Sequence, residues 1–117
     1  MHEMALMGDI LQIIQEDAAG KGITIIQNIE LTVGEISNAM PEALMMAFEV
    51  YKGQNGDFFD EEAELVIHIE KAEAECIFCS TKYVPDSRIS FCPICKMPSG
   101  KIISGESFQV LSYEGRE

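Results

Sequence analysis

Two stretches of the chain carry apolar residues at three- and four-residue steps, a spacing that predicts amphipathic helices. The first helix is expected over residues 4–19 and ends at a Gly-Lys-Gly segment, because glycine takes the left-handed cap conformation at little cost. The second is expected over residues 37–53, where Pro41 suits the first turn. The apolar positions are Leu6, Met7, Ile10, Leu11, Ile13, Ile14 and Ala18 in the first helix, and Leu44, Phe48 and Tyr51 in the second.

The second helix also carries three methionines, Met40, Met45 and Met46. Thioether side chains bind soft metal ions, so these three could form a ligand set. Methionines at helical spacing more often fill irregular space in a core, and we expect core packing here.

Three segments alternate apolar and polar residues with a period of two, which predicts half-buried strands. They cover residues 23–34, 63–74 and 107–113. Because one helix lies between the first two strands, we expect a crossover unit with that helix packed on the sheet. The pattern predicts an α+β fold, namely a three-stranded mixed sheet with two helices and a small cysteine-containing lobe inserted between the second and third strands.

Length, composition and charge narrow the class of protein. A chain of 117 residues, of which 47% are hydrophobic, suits one ordinary domain and is not typical of disorder. Eight Lys and Arg against twenty Asp and Glu give a net charge of −12, so no nucleic-acid partner is expected. No apolar run approaches the ~18–20 residues of a membrane span. No basic leader segment is visible either, and we expect a cytoplasmic protein without a membrane partner.

All four cysteines form two pairs, Cys76 with Cys79 and Cys92 with Cys95, and twelve residues separate the pairs. Two such turns facing each other make the tetrahedral thiolate cage of a zinc site. Four thiolates leave no position for water, so this Zn(II) is expected to be structural and not catalytic. An iron site with the same ligands stays open, as does a dithiol redox site, whereas disulfides are not expected in a reducing compartment.

The cysteine segment spans 26 residues, fewer than the ~40 that usually fold unaided. We therefore expect its folding to depend on the metal. The resulting division is a zinc-binding lobe at residues 76–101 and an α/β domain formed by residues 1–75 and 102–117.

The chain starts with Met1, His2 and Glu3. Chain ends are usually mobile, and a mobile end is one interpretation of His2. The chemistry allows another interpretation, because the Met1 amine, the His2 amide nitrogen and His2 Nδ1 can close two fused chelate rings on one metal ion. Such nitrogen donors favour the flat four-coordinate geometry of Ni(II) or Cu(II), and the Glu3 amide or carboxylate, or a donor from a partner, would complete the site.

Several segments in this order resemble the HypA/HybF family, the nickel metallochaperones of [NiFe]-hydrogenase maturation. They are MHE at the start, LTVGEIS at 31–37, PEALMMAFEV at 41–50, the paired CxxC loop, and SGESFQVLSYE at 104–114. The match runs nearly end to end. Two departures are Lys96, where the family often has glycine after the last cysteine, and ISNAMPEAL at 36–44, which replaces a more common Ser-Gly version. The glycine that often follows the second cysteine of a metal turn in general is absent at Ser80 as well.

The resemblance implies a function and a set of sites. His2 would be the essential nickel ligand with the Met1 amine and Glu3 assisting, and the four cysteines would hold zinc. Nickel would be cargo for hydrogenase maturation, and in some organisms for urease maturation. The implied partners are a nickel-handling GTPase and the hydrogenase large subunit, and a homodimer stays open. The resemblance also implies an α/β domain that binds the nickel.

Other functions remain under consideration. The chain could be a zinc-ribbon module that binds a protein without delivering metal, or a CxxC dithiol oxidoreductase. No Ser-His-Asp set, phosphate loop or paired-carboxylate signature supports an enzyme, and we expect a non-enzymatic carrier. His68, the only other histidine, lies on a predicted strand and is not expected to be a ligand.

Overall fold

The computed structural model describes residues 2–86 and 89–117. Its helices are α1 (His2–Gly20) and α2 (Pro41–Gln54). Its strands are β1 (Ile25–Gly34), β2 (Phe59–Glu70), β3 (Glu73–Cys76), β4 (Lys82–Tyr83), β5 (Gly100–Ser104) and β6 (Phe108–Arg116). Within the described residues, neither helix has the length and apolarity needed to span a bilayer.

The main sheet has the strand order β2-β1-β6. The backbone nitrogen of Ile26 donates to the carbonyl of Phe58 at 2.8 Å, and that of Glu35 donates to the carbonyl of Glu70 at 2.9 Å. Both partners advance in the same direction, so β1 and β2 are parallel, as the intervening α2 requires.

The third strand of this sheet runs the other way. Thr24 N bonds to Arg116 O at 2.9 Å and Gly34 N bonds to Ser107 O at 2.6 Å, so β6 is antiparallel to β1. The predicted α+β fold with a three-stranded mixed sheet and two helices is confirmed, with the four cysteines gathered in a lobe.

A second sheet, absent from the sequence prediction, has the order β4-β3-β5 with antiparallel pairing on both sides of β3. The prediction of one strand over 63–74 is therefore wrong, because β2 ends at Glu70 and β3 begins at Glu73 in another sheet. The apolar alternation continues across this break. Periodicity reports which face of a strand is buried, and it does not report a change of hydrogen-bonding partner.

Helix α1 packs against α2. The interior of this part of the chain includes Met7, Ile14, Ile26, Ile29, Leu31, Leu44 and Phe48, all at most 2% exposed. One predicted apolar position of α1 is wrong, since Ile13 is 60% exposed. Ile13 lies at the edge of the apolar face of α1, beside the buried residues and not among them.

The predicted burial of the α2 methionines is also wrong. Met40, Met45 and Met46 are 62%, 43% and 70% exposed. The buried residues of α2 are Leu44, Ala47 and Phe48, which lie three and four positions apart and occupy the side of the helix opposite Met46. The helix starts at Pro41, so Met40 is its N-cap and lies outside the first turn.

The chain forms two compact units. The first consists of Met1–Thr32, Ala39–His68 and Gln109–Glu117, and the second of Val33–Asn38 and Ile69–Phe108. The second unit contains the whole cysteine segment. The assignment of nickel to residues 1–75 with 102–117, and of zinc to 76–101, stays a prediction.

Candidate metal centres

The four cysteine side chains converge on one point. Their Sγ atoms all lie within 4.8 Å of one another, with 3.8 Å between Cys76 and Cys95 and 3.6 Å between Cys79 and Cys92. A tetrahedral ion with metal–sulfur bonds of ~2.3 Å separates its ligands by about 3.8 Å. The spacing of the sulfur atoms therefore fits a single tetrahedral metal ion.

Each cysteine pair sits in the same kind of turn. In the first, the backbone N–H groups of Phe78 and Cys79 approach Cys76 Sγ at 3.4 and 3.5 Å. Sixteen residues later the pattern repeats on Cys92 Sγ, at 3.4 Å from Ile94 N and 3.3 Å from Cys95 N. In the first turn these donors favour the thiolate form of Cys76, which is the form that binds metal.

The residue after each pair adopts a left-handed backbone conformation. Ser80 has φ of 62° and Lys96 has φ of 60°. Ser80 N donates to Cys76 O at 3.0 Å, and Lys96 N donates to Cys92 O at 2.8 Å. The turns keep the geometry for which glycine is favoured although neither position is glycine.

The lobe surrounds this cluster with polar contacts. The Ser99 hydroxyl lies 3.1 Å from Cys76 Sγ and, as donor to the thiolate, lowers the pKa of Cys76 to about 6. The hydrogen bond between Cys79 Sγ and the Thr81 hydroxyl, at 3.2 Å, is the main cause that lowers the pKa of Cys79. Hydrogen bonds with the neighbouring sulfurs, that of Cys79 first, raise the pKa of Cys95 to about 12, and burial and the charge of Cys76 act in the same direction. A bound cation would lower the pKa of Cys95 again, because positive charge stabilises the thiolate.

The second predicted site begins at the exposed His2, the first residue of α1. Glu3 follows and is only 8% exposed. Its Oε2 accepts a hydrogen bond from Met40 N at 3.1 Å and lies 3.7 Å from His2 Nδ1. The Met40 N–H is the main cause that lowers the pKa of Glu3. Met1, the predicted amine donor, lies outside the described residues.

Near the start of α1, a second contact holds the two helices together. The Tyr51 hydroxyl donates to the carbonyl oxygen of Met4 at 3.1 Å. A side chain on Gly8 would place its Cβ 2.8 Å from Tyr51 Oη, so the absence of a side chain lets the tyrosine approach α1. The first residues of the chain are thus attached to α2 at Glu3 and at Met4.

Comparison with known proteins decides the family. The family described as "Hydrogenase/urease nickel incorporation, metallochaperone, hypA" matches residues 1–115. The chain belongs to the HypA family. Hydrogenase maturation factor HypA of Moorella thermoacetica is 33% identical over 115 residues, which are 98% of this chain and 99% of that protein. HypA of Desulfitobacterium hafniense strain DCB-2 is 32% identical over 117 residues, the whole of both chains.

Solved HypA structures share the fold. The solution structure of the nickel metallochaperone HypA from Helicobacter pylori has a TM-score of 0.65 at 24% identity and covers 97% of each chain. A second HypA solution structure has a TM-score of 0.66 at 26% identity, covering 98% of this chain and 96% of that one.

His68, the other histidine of this HypA family member, pairs with a carboxylate on a neighbouring strand. His68 Nε2 is 2.6 Å from Glu30 Oε1 on exposed strand residues, and Ser112 Oγ donates to the other carboxylate oxygen at 3.3 Å. Over residues 2–86 and 89–117, the four cysteines are the one group of three or more His, Cys, Asp or Glu side chains whose ligand atoms converge.

Sequence reasoning missed the residues that support the two sites. Ser99 and Thr81 contact cysteine sulfurs, and Met40 contributes only its backbone N–H to Glu3. None of these carries a spacing signal. Serine and threonine are common loop residues. The donor to Glu3 is a backbone N–H 37 positions away, which any residue other than proline would supply.

Proposed function

We propose that this protein carries Ni(II) at its N-terminal segment and delivers it during [NiFe]-hydrogenase maturation, with urease as a second client in some organisms. The observation that carries the proposal is the family match over residues 1–115 in a chain that begins Met1-His2-Glu3. The HypA family is described as a nickel-incorporation metallochaperone. A nickel-handling GTPase and the hydrogenase large subunit are the proposed recipients, in the cytoplasm.

The proposed nickel ligands are the Met1 amine, the amide nitrogen and Nδ1 of His2, and a donor from Glu3. Support comes from the exposure of His2 and from its position as the first residue of α1. The first N–H groups of a helix have no partner within the helix, so a metal that replaces an amide proton there breaks no helical hydrogen bond. Release by ligand exchange requires an accessible site, and an exposed imidazole provides one.

Zinc is the proposed occupant of the four-cysteine cluster, with a structural role. Four thiolates complete its tetrahedral shell and leave no position for a reacting water molecule. The sulfur separations of 3.6 and 3.8 Å suit this ion. Metal binding would supply the folding free energy of a lobe whose exposed side chains include many large apolar residues. The protein is proposed to act without catalysis.

The experiment compares nickel binding by the untagged protein and two histidine variants. His2→Ala should weaken nickel affinity at least 100-fold by titration calorimetry, because it removes one donor and one chelate ring. His68→Ala is the matched control and should leave nickel affinity within twofold, since His68 pairs with Glu30. Equal losses in both variants, or none in either, would refute the proposed site. Zinc content should stay at one ion per chain in all three proteins.

A protein-interaction module without nickel delivery is the second candidate. It is favoured by the exposure of Ile77, Phe78, Phe91 and Ile94 in the cysteine lobe, at 65%, 67%, 62% and 67%. In that case His2→Ala would leave hydrogenase maturation intact in cells, and nickel transfer would not depend on the first three residues.

A further inference from the structure

Helix α2 carries apolar residues on its exposed side as well as its buried side. Met46 is 70% exposed and Val50 is 45% exposed. They lie four positions apart, so they are neighbours on one face of the helix. The N-cap residue Met40 is 62% exposed. These three residues, Met40, Met46 and Val50, are called the α2 surface below.

The α2 surface begins beside the proposed nickel ligands. The backbone N–H of Met40 is bonded to the Glu3 carboxylate, and that carboxylate lies 3.7 Å from His2 Nδ1. Met46 is six residues further along, or about 9 Å at 1.5 Å per residue. A protein large enough to reach His2 from this side would also cover Met46.

Transfer of nickel by ligand exchange places a strict demand on the receiving protein. Its donor atoms must come within about 2 Å of the ion while His2 still holds it, so it must contact the surface around His2. We propose that the α2 surface is where the nickel-accepting protein docks, with α2 lying in an apolar groove bordered by Lys or Arg side chains. This inference rests on the proposed function and names the contact through which it operates.

The charges on α2 decide which occupant fits. Glu42 precedes Met46 by four residues and Glu49 follows it by three, and both are exposed. Glu49 Oε2 also lies 4.0 Å from Lys52 Nζ, so Glu42 contributes more of the negative charge beside Met46. A basic rim on the partner would complement them. A second copy of this chain would set these acids against their own equivalents, and an anionic membrane would repel a protein of net charge −12.

The side chains of the α2 surface suit a contact that forms and separates. Methionine is flexible and polarizable, so it adapts to grooves of different shape. Apolar residues at helical spacing are the anchors of a helix laid into a groove. A carrier that serves more than one recipient needs such an adaptable contact.

The test separates nickel transfer from nickel binding. The variant Met46→Glu with Val50→Glu keeps good helix formers at exposed positions, and circular dichroism should match the wild type. Nickel-loaded protein is mixed with the purified nickel-handling GTPase or hydrogenase large subunit of the same organism. Transfer to at least one recipient should slow at least tenfold, while nickel affinity stays within twofold. Ile13→Glu is the matched control, since Ile13 is 60% exposed on α1, and transfer should be unchanged.

A second arm tests the charge of the partner. Glu42→Lys should weaken association with the recipient severalfold at low salt, and the difference should shrink as salt is added. Transfer that is unchanged in the double Glu variant, or an equal loss with Ile13→Glu, overturns the proposal. A wild-type dimer that the double variant dissociates in sedimentation also overturns it, because a second copy would then be the occupant. If wild-type protein binds no nickel, the proposed function itself fails, which is a distinct result.

Discussion

The carboxylate of Glu3 accepts a hydrogen bond from the backbone N–H of Met40, with Oε2 3.1 Å from the nitrogen. Met40 is the N-cap of α2 and forms no side-chain cap of its own. Glu3 therefore plays the role that a glutamate within the helix plays in a capping box, although it comes 37 residues earlier in the chain. One side chain connects the segment proposed to bind nickel with the start of α2, where negative charge is favourable.

This connection leads to a prediction about Glu3 substitutions. Glu3→Gln keeps an oxygen that can accept from Met40 N, so it should retain nickel affinity within a few fold and most of the thermal stability. Glu3→Ala removes the acceptor, leaves the Met40 N–H without its partner, and should lower both. Titration calorimetry and thermal unfolding measure the two effects. If Glu3→Gln lost nickel as completely as Glu3→Ala, the carboxylate would be a metal ligand instead of a positioning group.

A second carboxylate makes stability depend on pH. Glu70 Oε1 accepts from Gly105 N at 2.6 Å and from Ser107 N at 3.3 Å, and Oε2 accepts from Ser107 Oγ at 3.1 Å. These donors, that of Gly105 first, lower the pKa of Glu70 below its ordinary value of 4.5. A folded-state pKa that is lowered contributes stability above the unfolded-state value and loses it as pH falls through the folded-state value.

Urea unfolding between pH 7 and pH 3 tests this dependence. Wild-type protein should lose stability below about pH 4.5, and Glu70→Gln should be less stable at pH 7 with a flatter decline in acid. Glu73→Gln is a suitable control, because Glu73 is exposed and its carboxylate makes none of the contacts seen at Glu70. An equally steep acid decline in Glu70→Gln would assign the pH dependence to other groups.

The sequence predicts the helices and the main sheet because their signals are periodic and local. Apolar residues at helical steps find α1. The range 37–53 predicted for α2 starts four residues too early, since the helix begins at Pro41. The sequence does not predict β3, β4 and β5, since these strands have only four, two and five residues and show little periodicity. The sequence does not predict the exposure of the α2 methionines, because a helix with apolar residues on two sides gives no indication of which side is buried.

At the two candidate metal sites, the sequence likewise predicts what is local and misses contacts between distant residues. Cysteine spacing predicts that four sulfur atoms converge, because each pair closes its own turn and the geometry of the turn is local. The support for Cys76 by Ser99, and for Glu3 by Met40, depends on contacts across 23 and 37 residues. Such contacts exist only once the chain has folded, and a single sequence carries no signal for them.

The cysteine pKa values predict how metal affinity responds to acid. In the absence of metal, the pKa of Cys76 is about 6 and that of Cys95 is about 12. Near neutral pH the metal must therefore displace the proton of Cys95 but not that of Cys76. As pH falls through about 6, Cys76 also becomes protonated, and the plot of log affinity against pH should steepen by one proton.

Zinc competition with a chromophoric chelator from pH 5 to 8 measures this slope. Ser99→Ala removes the hydroxyl that most strongly lowers the pKa of Cys76, so the break should move to higher pH. Ser104→Ala is the control, because the Ser104 hydroxyl donates to the carbonyl of Lys71 and contacts no sulfur in the described contacts. A break that stays in place in Ser99→Ala would show that the hydroxyl does not set the thiol's proton affinity.

The left-handed residues after each cysteine pair predict a stabilising substitution. Ser80 has φ of 62°, a conformation that costs a non-glycine residue roughly 1–2 kcal/mol. Glycine relieves this strain but gives the unfolded chain more freedom, which costs about 0.4–1 kcal/mol. Strain relief is the larger effect, so Ser80→Gly should stabilise the metal-loaded protein by roughly 0.5 kcal/mol.

Ser80→Ala is the control for this prediction. It removes the hydroxyl without relieving the backbone strain and should give no gain in stability. Thermal unfolding of the three zinc-loaded proteins decides the matter, and a lower melting temperature for Ser80→Gly than for Ser80→Ala would mean that the turn stores no strain at this position.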